Sequence, residues 1–276
     1  MAAIRSTVRA IPGPLRRGMV RLADRWVPRR WQLPYTSAKL RLQGALEEEI
    51  GWLPRILRGR GGIAIDVGAN IGLYSYHLAG LCDWVEAFEP NSACLEVLSS
   101  YGAKNVHPHC VALSARAGMR MLKIPVTDGV PQSGFGSIQE HDLHERISIE
   151  VTTHTLDEYG YTQAKFVKID VEGHELEVLE GATETIRRCM PVLLIEIEER
   201  HQNIEIDVVF EHVLKRGYQG YFIFEQALHS LDQFRVDFHQ RGYVEGRQTT
   251  KYVNNFIFLP RGQRIDATSA REALRR

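Results

Sequence analysis

Cysteine is scarce in this chain: four residues in 276, and no two of them form a Cys-x-x-Cys pair. Cys82, Cys94, Cys110 and Cys189 are scattered, which argues against a structural zinc site or a disulfide framework. Such a pattern fits buried or idle thiols in a reducing compartment. Long apolar runs are also missing, and none reaches the roughly 18 residues that a membrane-spanning helix needs. The N-terminus lacks the apolar core of a secretory signal, because charge begins at Arg5 and prolines stand at Pro12 and Pro14. These absences predict a cytoplasmic protein. There is no excess of either charge, with 34 basic and 34 acidic side chains, so composition gives no argument for a nucleic-acid partner. There are no internal repeats.

The balance of charge conceals an asymmetry. Residues 1–35 hold eight arginines (Arg5, Arg9, Arg16, Arg17, Arg21, Arg25, Arg29, Arg30) and one acid, Asp24. Ile4, Val8, Ile11, Leu15, Met19 and Leu22 lie at near-helical spacing there. Two readings follow: a frayed N-terminal helix, or a basic amphipathic segment making peripheral contact with an anionic membrane or a partner. The prolines forbid a single long helix.

The length fits one α/β domain with a modest extension. Four segments are expected: a basic extension over 1–35, a helical segment over 36–62, the main domain over 63–260, and a tail over 261–276. In the second, Leu40, Leu42, Ala45, Leu46, Ile50 and Leu53 predict one helix over 36–58, with Glu47, Glu48 and Glu49 on its polar side. From residue 63 strands and helices alternate. Strands are expected at 63–67, 84–89, within 106–113, at 165–171, 192–198, 218–224 and 255–259, with helices at 73–79, 92–100, 175–188 and 206–215. Runs such as Val192-Leu193-Leu194-Ile195 read as parallel strands buried on both faces. One interval breaks the rhythm. Residues 119–126 and 147–153 alternate like paired strands, which makes a β-rich insertion after strand three. The Gly/Ser/His-rich stretch between them, 128–144, is placed where a lid would sit. A second irregular stretch is expected over 226–250.

The stretch Ile63-Ala64-Ile65-Asp66-Val67-Gly68-Ala69-Asn70-Ile71-Gly72 is a strand, an acid and a glycine-punctuated turn into a helix. In an open α/β sheet, ligands bind beyond the carboxyl ends of the strands where the strand order reverses. Gly68 and Gly72 let the backbone approach a ligand. Glu89 ends the second strand and offers two oxygens to a pair of ribose hydroxyls. Asp66 adds negative charge opposite a cationic sulfur. These residues predict a pocket for S-adenosylmethionine. A dinucleotide is the rival ligand, but its fingerprint wants Gly-x-Gly-x-x-Gly, and an acid at the start of the loop opposes a pyrophosphate.

With these residues in view, the chain resembles the FkbM family of S-adenosylmethionine-dependent methyltransferases. Three blocks carry the likeness: residues 65–75, beginning Ile65-Asp66-Val67-Gly68; residues 85–91, Val85-Glu86-Ala87-Phe88-Glu89-Pro90-Asn91; and Thr155-Leu156-Asp157-Glu158-Tyr159 followed by residues 167–182, which include Asp170-Val171-Glu172-Gly173-His174-Glu175. Asn254-Asn255-Phe256-Ile257-Phe258 adds to it. The third block is the most specific. The resemblance covers about residues 40–260. It implies a Rossmann-like class I methyltransferase fold: a mostly parallel seven-stranded sheet with one antiparallel strand and helices on both faces. It also implies O-methylation of a hydroxyl on a glycan or secondary metabolite. Asp66, Gly68, Asn70, Gly72 and Glu89 match the family's donor-binding motif.

Methyl transfer to a hydroxyl needs alignment and a group that removes the proton. The segment after strand four faces the donor in the inferred order. His174 ranks first as base, because its ordinary pKa lies near neutrality. Asp170 ranks second and Glu172 can serve either role. The alternative is that Glu172, His174 and Glu175 cap and charge the next helix. Asp170, Glu172, His174 and Glu196 are also residue types that bind metals, but no metal is assigned. Glu196 and Glu198 are expected near the same cleft, and His141, His144 and His154 either bind substrate or are solvated. Besides the methyltransferase, two readings stay open: a nicotinamide-dependent oxidoreductase, and a non-catalytic scaffold of the same fold.

Overall fold

A computed structural model describes residues 27–57, 59, 61–127, 130–131, 146–202, 204–246 and 251–265. Two helices come first, α1 (Arg29–Gln43) and α2 (Glu48–Leu57). The single helix expected over 36–58 is broken at Gly44, which takes a left-handed φ of 68° and caps α1. The expected extension over 1–35 is therefore helical from Arg29 onward, and its first 26 residues lie outside the described ones. Glu49, read as polar-face, is buried with Ile50, Trp52 and Leu53.

The alternating part follows as β1 (Ile63–Val67), α3 (Leu73–Leu78), β2 (Trp84–Phe88), α4 (Ser92–Tyr101) and β3 (Val106–His109). The insertion comes next: β4 (Ala112–Leu113), β5 (Gly118–Thr127), β6 (Val130–Pro131) and β7 (Arg146–His154). The chain then continues through β8 (Ala164–Ile169), α5 (Glu175–Glu180), α6 (Thr183–Cys189), β9 (Val192–Glu196), α7 (Ile206–Leu214), β10 (Tyr218–Phe224), β11 (Ala227–Ser230) and β12 (Asn255–Pro260).

The main sheet has the order β11-β10-β12-β9-β8-β1-β2-β3. Pairings from β3 through β9 are parallel, and β12 runs antiparallel between β9 and β10. The seven expected strands are present. An eighth, β11, pairs antiparallel with β10 at the edge, inside the stretch expected to be irregular. Alternate residues serve opposite faces: Ile65 and Val67 enter one core cluster, and Ala64 the other. Both faces are thus covered, which is why these strands are apolar throughout. The insertion pairs β5 with β7 antiparallel and β4 with β7 in parallel, as a smaller four-stranded sheet. The expected lid at 128–144 lies outside the described residues apart from Val130–Pro131.

The expected helix over 175–188 is also broken, between α5 and α6 at Gly181. A Cβ there would meet the Ser114 carbonyl oxygen at 2.0 Å. The break lets the insertion's first strand press against the helix pair. Among the described residues, no helix is long and apolar enough to cross a membrane.

Candidate active site

From β1 the chain steps to β2 and β3 on one side, and β8 and β9 lie on the other. The strand order therefore reverses at β1, and the crevice at the carboxyl ends of β1, β2 and β8 is where this architecture holds a ligand. At its floor Gly68 has φ 75°, and a Cβ there would lie 1.7 Å from the Asp170 carbonyl oxygen. The peptides after β1 and β8 meet too closely for any side chain. The Asp170 amide donates to the Val67 carbonyl at 3.0 Å, and the amides of Gly68 and Ala69 both donate to the Phe88 carbonyl. Three strand ends are stitched into one rigid rim.

Glu89 projects from that rim and is buried. Its two oxygens accept hydrogen bonds from the amides of Asn70 and Asn91, each at 2.8 Å. Asn70 adopts φ 51°, and its own side chain accepts from the Ile71 amide at 2.7 Å. The loop therefore aims its amide at Glu89 and fixes the carboxylate's orientation, and each oxygen keeps a lone pair for a further donor. Burial pushes the Glu89 carboxyl up to about 7, against the pull of those two amides.

Apolar walls flank the carboxylate: Val67, Phe88 and Pro90 from the main sheet, and Ala112, Leu113 and Leu122 from the insertion. Asp170, Glu172 and His174 close the far side. The space between these walls is about 60 Å³.

Of the sequence-predicted residues, Gly68, Asn70, Glu89, Asp170, Glu172 and His174 converge on this cleft. Asp66 and Gly72 are not among its lining residues. The Asp66 carboxylate is buried below the rim, where it accepts the Ser75 hydroxyl at 2.6 Å, and burial raises its pKa. It ties α3 to β1. Gly72 has φ 93°, and a Cβ there would come within 2.3 Å of Leu98. Its missing side chain makes room for Leu98 of α4.

The three catalytic candidates are held differently. Asp170 receives a hydrogen bond at 2.9 Å from Lys168 Nζ, and its other oxygen is not engaged by that contact. Lys168 is only 1% exposed and lies 4.6 Å from the centre of the Tyr74 ring. Burial alone would lower its pKa, but the carboxylates of Asp170, Glu47, Glu196 and Asp66 outweigh that and keep the ammonium charged. Glu172 has φ 52° and pairs with His201 Nδ1 at 2.5 Å. His174 is buried; its Nε2 lies 2.9 Å from Ser114 Oγ and its Nδ1 3.5 Å from Glu177. Both ring nitrogens have partners. His174 precedes α5 but makes no side-chain cap to it, so the capping alternative does not describe it. It latches the insertion strand to the loop after β8.

Around this centre lies a polar layer in which the sequence points to Glu196 and Glu198 but not to the side chains that hold them. The Tyr74 hydroxyl donates to Glu47 at 2.5 Å, and Asn255 Nδ2 donates to the same oxygen at 3.3 Å. Asn254 donates to Glu196 at 2.6 Å and to Glu198 at 3.3 Å. Glu198 is further held by the Tyr252 hydroxyl at 3.0 Å. Glu175, read as a helix-end charge, is buried and accepts from the Gly173 amide and from Gln202, and burial pushes it up to about 7. His154 pairs with the Tyr159 hydroxyl away from the cleft lining, and His141 and His144 lie outside the described residues. Among the described residues, no three His, Cys, Asp or Glu side chains are arranged to hold a metal ion.

Comparison with known proteins gives this geometry its context. The methyltransferase FkbM domain matches residues 66–243, more than half of the chain. The chain belongs to the FkbM methyltransferase family. It is an S-adenosylmethionine-dependent methyltransferase, and the dinucleotide reading falls. A solved FkbM methyltransferase from Methylobacillus flagellatus KT is 17% identical, with a TM-score of 0.46; the match covers 72% of this chain and 43% of that one. This FkbM chain thus spans less than half the length of that relative. An rRNA methylase from Streptococcus thermophilus is 16% identical, with 76% and 91% covered and a TM-score of 0.42. SMU.1697c from Streptococcus mutans, solved in complex with SAH, is 13% identical, with 76% and 94% covered and a TM-score of 0.42. No curated protein matches the chain.

The lining chemistry fits the donor of this FkbM enzyme: a fixed carboxylate for a diol, apolar walls for a flat base, and acids opposite a cation. A consequence concerns pH. Hydroxyls that donate to Glu89 favour its ionised form, whereas the free protein holds it at about 7. Binding below pH 7 therefore releases a proton. The expected result is a donor Kd that rises as pH falls below 7, by up to about tenfold per unit. Calorimetry in buffers of differing ionisation enthalpy checks it, and a flat affinity from pH 5.5 upward contradicts it. The sign for stability is the opposite. An acid whose pKa is raised by folding stabilises the free protein at low pH, and that contribution is lost as pH rises through 7.

Proposed function

We propose that this FkbM enzyme methylates a hydroxyl of a glycan or secondary metabolite, with Asp170 as the group that takes the hydroxyl proton. The observation that carries the reading is a carboxylate in the donor cleft, anchored through one oxygen by a buried, charged lysine. S-adenosylmethionine supplies a methyl group on a positively charged sulfur, and transfer to oxygen proceeds by in-line displacement.

The chain's own residues do the rest. Glu89, fixed by the amides of Asn70 and Asn91, orients the donor's diol. Lys168 holds Asp170 so that its second oxygen faces the acceptor. The proton leaves the hydroxyl for Asp170 as the carbon–oxygen bond forms, and a methyl ether and the demethylated donor leave. His174 ranked first by its ordinary pKa, but its partners argue for a positioning role: both nitrogens are engaged, and burial lowers its pKa. Asn254 bridges Glu196 and Glu198, Glu196 feels the Asp170 charge, and an amide among carboxylates is the kind of grouping that recognises polyols.

The test is turnover with methyl-labelled donor against neutral glycans, polyketide alcohols, catechols, amines and carboxylates. The expected result is base-stable label on an alcohol or sugar hydroxyl. Label confined to amines or carboxylates overturns the acceptor class.

A further inference from the structure

We propose that helix α1 and the groove along its flank dock this protein on an anionic phospholipid surface. The proposal concerns the end of the molecule opposite the methyl-transfer cleft and stands apart from that chemistry.

α1 rests on α4 and α3 with Leu33 and Ser37 buried beneath it, and Arg29 ties it to Glu96 at 3.3 Å. Its opposite face holds Trp31, Tyr35, Ala38 and Leu42, one stripe at helical spacing. Trp31 is 55% exposed and Leu42 is 88% exposed. Together they form an open apolar stripe on a helix otherwise well seated, and a contiguous stripe of this kind marks an interaction surface. Arg30 and Arg41 flank the stripe on one side and Lys39 on the other, and α1 contains no acidic residue. Among the described residues, no carboxylate lies within ion-pair distance of Arg30 or Arg41. A tryptophan and a leucine bordered by arginines match the boundary between acyl chains and anionic headgroups.

The groove supplies a seat for the headgroup. It measures about 550 Å³ and is lined by Ser37, Arg41, Tyr76, His77, Tyr101 and Asn105 among others, with no carboxylate in its walls. Ser37 Oγ and His77 Nε2 lie 2.9 Å apart. Burial, and then the Arg41 charge, hold the His77 imidazole neutral, with its pKa lowered to about 4. Among the described lining residues Arg41 therefore carries the one full charge, beside the hydroxyls of serine and two tyrosines. That set suits a single phosphodiester.

Position agrees with this use. His77 and Gly80 lie at the end of α3, just before β2 begins, and Asn105 lies just before β3. The groove sits at the amino ends of the parallel strands, so a membrane there leaves the cleft at their carboxyl ends open. The sequence that leads into α1 adds six arginines against one acid over residues 1–26. Each basic residue near an anionic leaflet strengthens binding, and the contributions accumulate.

The test is flotation of the full chain with vesicles of phosphatidylcholine alone or mixed with phosphatidylglycerol. Capture by the mixed vesicles only is expected. The double variant Arg30→Glu with Arg41→Glu should lower vesicle affinity roughly tenfold or more, and Trp31→Ser with Leu42→Ser should lower it by roughly tenfold as well. Both variants should keep the parental melting curve and methyl-transfer rate. Any of these results overturns the proposal: no capture; equal capture by neutral vesicles; capture that both variants leave unchanged, which would assign it to residues 1–26; or tighter binding to a soluble RNA that both variants abolish. Full competition by free glycerol phosphate also overturns it, because a soluble phosphate would then be the ligand.

Discussion

Glu89→Ala is expected to weaken binding of S-adenosylhomocysteine roughly a hundredfold. Hydrogen bonds to a charged group contribute about 1.5–3 kcal/mol each, and the diol would lose two. The full sum is not expected, because the carboxylate is itself costly to bury: burial raises its pKa to about 7, so part of the population is neutral at neutral pH. A net loss of about 3 kcal/mol, near two decades in Kd, is the result. Alanine also orphans the amides of Asn70 and Asn91, which now have Glu89 as acceptor. Glu89→Gln separates the two effects. It keeps the side chain's size and one acceptor oxygen, so one of the two loop amides keeps its partner, yet it loses the charge and one diol contact, and an intermediate affinity without the pH dependence is predicted. Titration calorimetry of both variants, with melting curves as the control for folding, checks this. Equal affinity for the alanine variant and the parent would place the donor elsewhere.

Asp170→Asn should lower kcat by about a hundredfold to ten-thousandfold, the usual range for removal of a general base. Asparagine retains an oxygen to accept from Lys168, so the buried ammonium keeps a partner. That matters because a charge stripped of its partner in the interior destabilises by about 3–5 kcal/mol and would mask the catalytic effect. The donor KM should change less than about threefold, since the diol contacts are not at Asp170. His174→Ala should show the converse pattern. Its partner Ser114 belongs to the insertion wall of the cleft, and loosening that wall raises the donor KM several-fold while kcat and its pH profile hold. Stopped-time assays with labelled donor give both parameters. A His174→Ala enzyme with collapsed kcat and normal KM would restore His174 as the base and remove Asp170 from that role.

The fold was legible where burial writes a pattern along the chain. The apolar runs of β1, β8 and β9 and the alternation of β5 and β7 appear at the expected places. The two expected helices that proved broken turn at Gly44 and Gly181. Gly44 uses a left-handed φ that periodicity does not register, and Gly181 is bare because a distant carbonyl presses on it. The edge strand β11 is short and partly exposed, with little apolar signal to read.

Site residues divided along the same line. Glu89 and Gly68 are set by local backbone, so the motif alone brings both to the cleft. His174 ranks first by its solution pKa, but its hydrogen-bond partner is Ser114, sixty residues away, which no local pattern registers. Lys168 carried an unread signal. A lysine inside Phe166-Val167-Lys168-Ile169, a strand that must be buried on both sides, requires a carboxylate partner. Asp170, two residues on, supplies it. The pair Glu47–Tyr74 and the hold of Asn255 on Glu47 join residues too far apart in the chain for any local pattern to register.

The most direct test of the account is isothermal titration of the full chain with S-adenosylhomocysteine at pH 8 and at pH 6. The account predicts one site per chain, tighter at the higher pH, with proton release at the lower. Folded protein that takes up none of the compound, or binds it with the same affinity after Glu89→Ala, contradicts it.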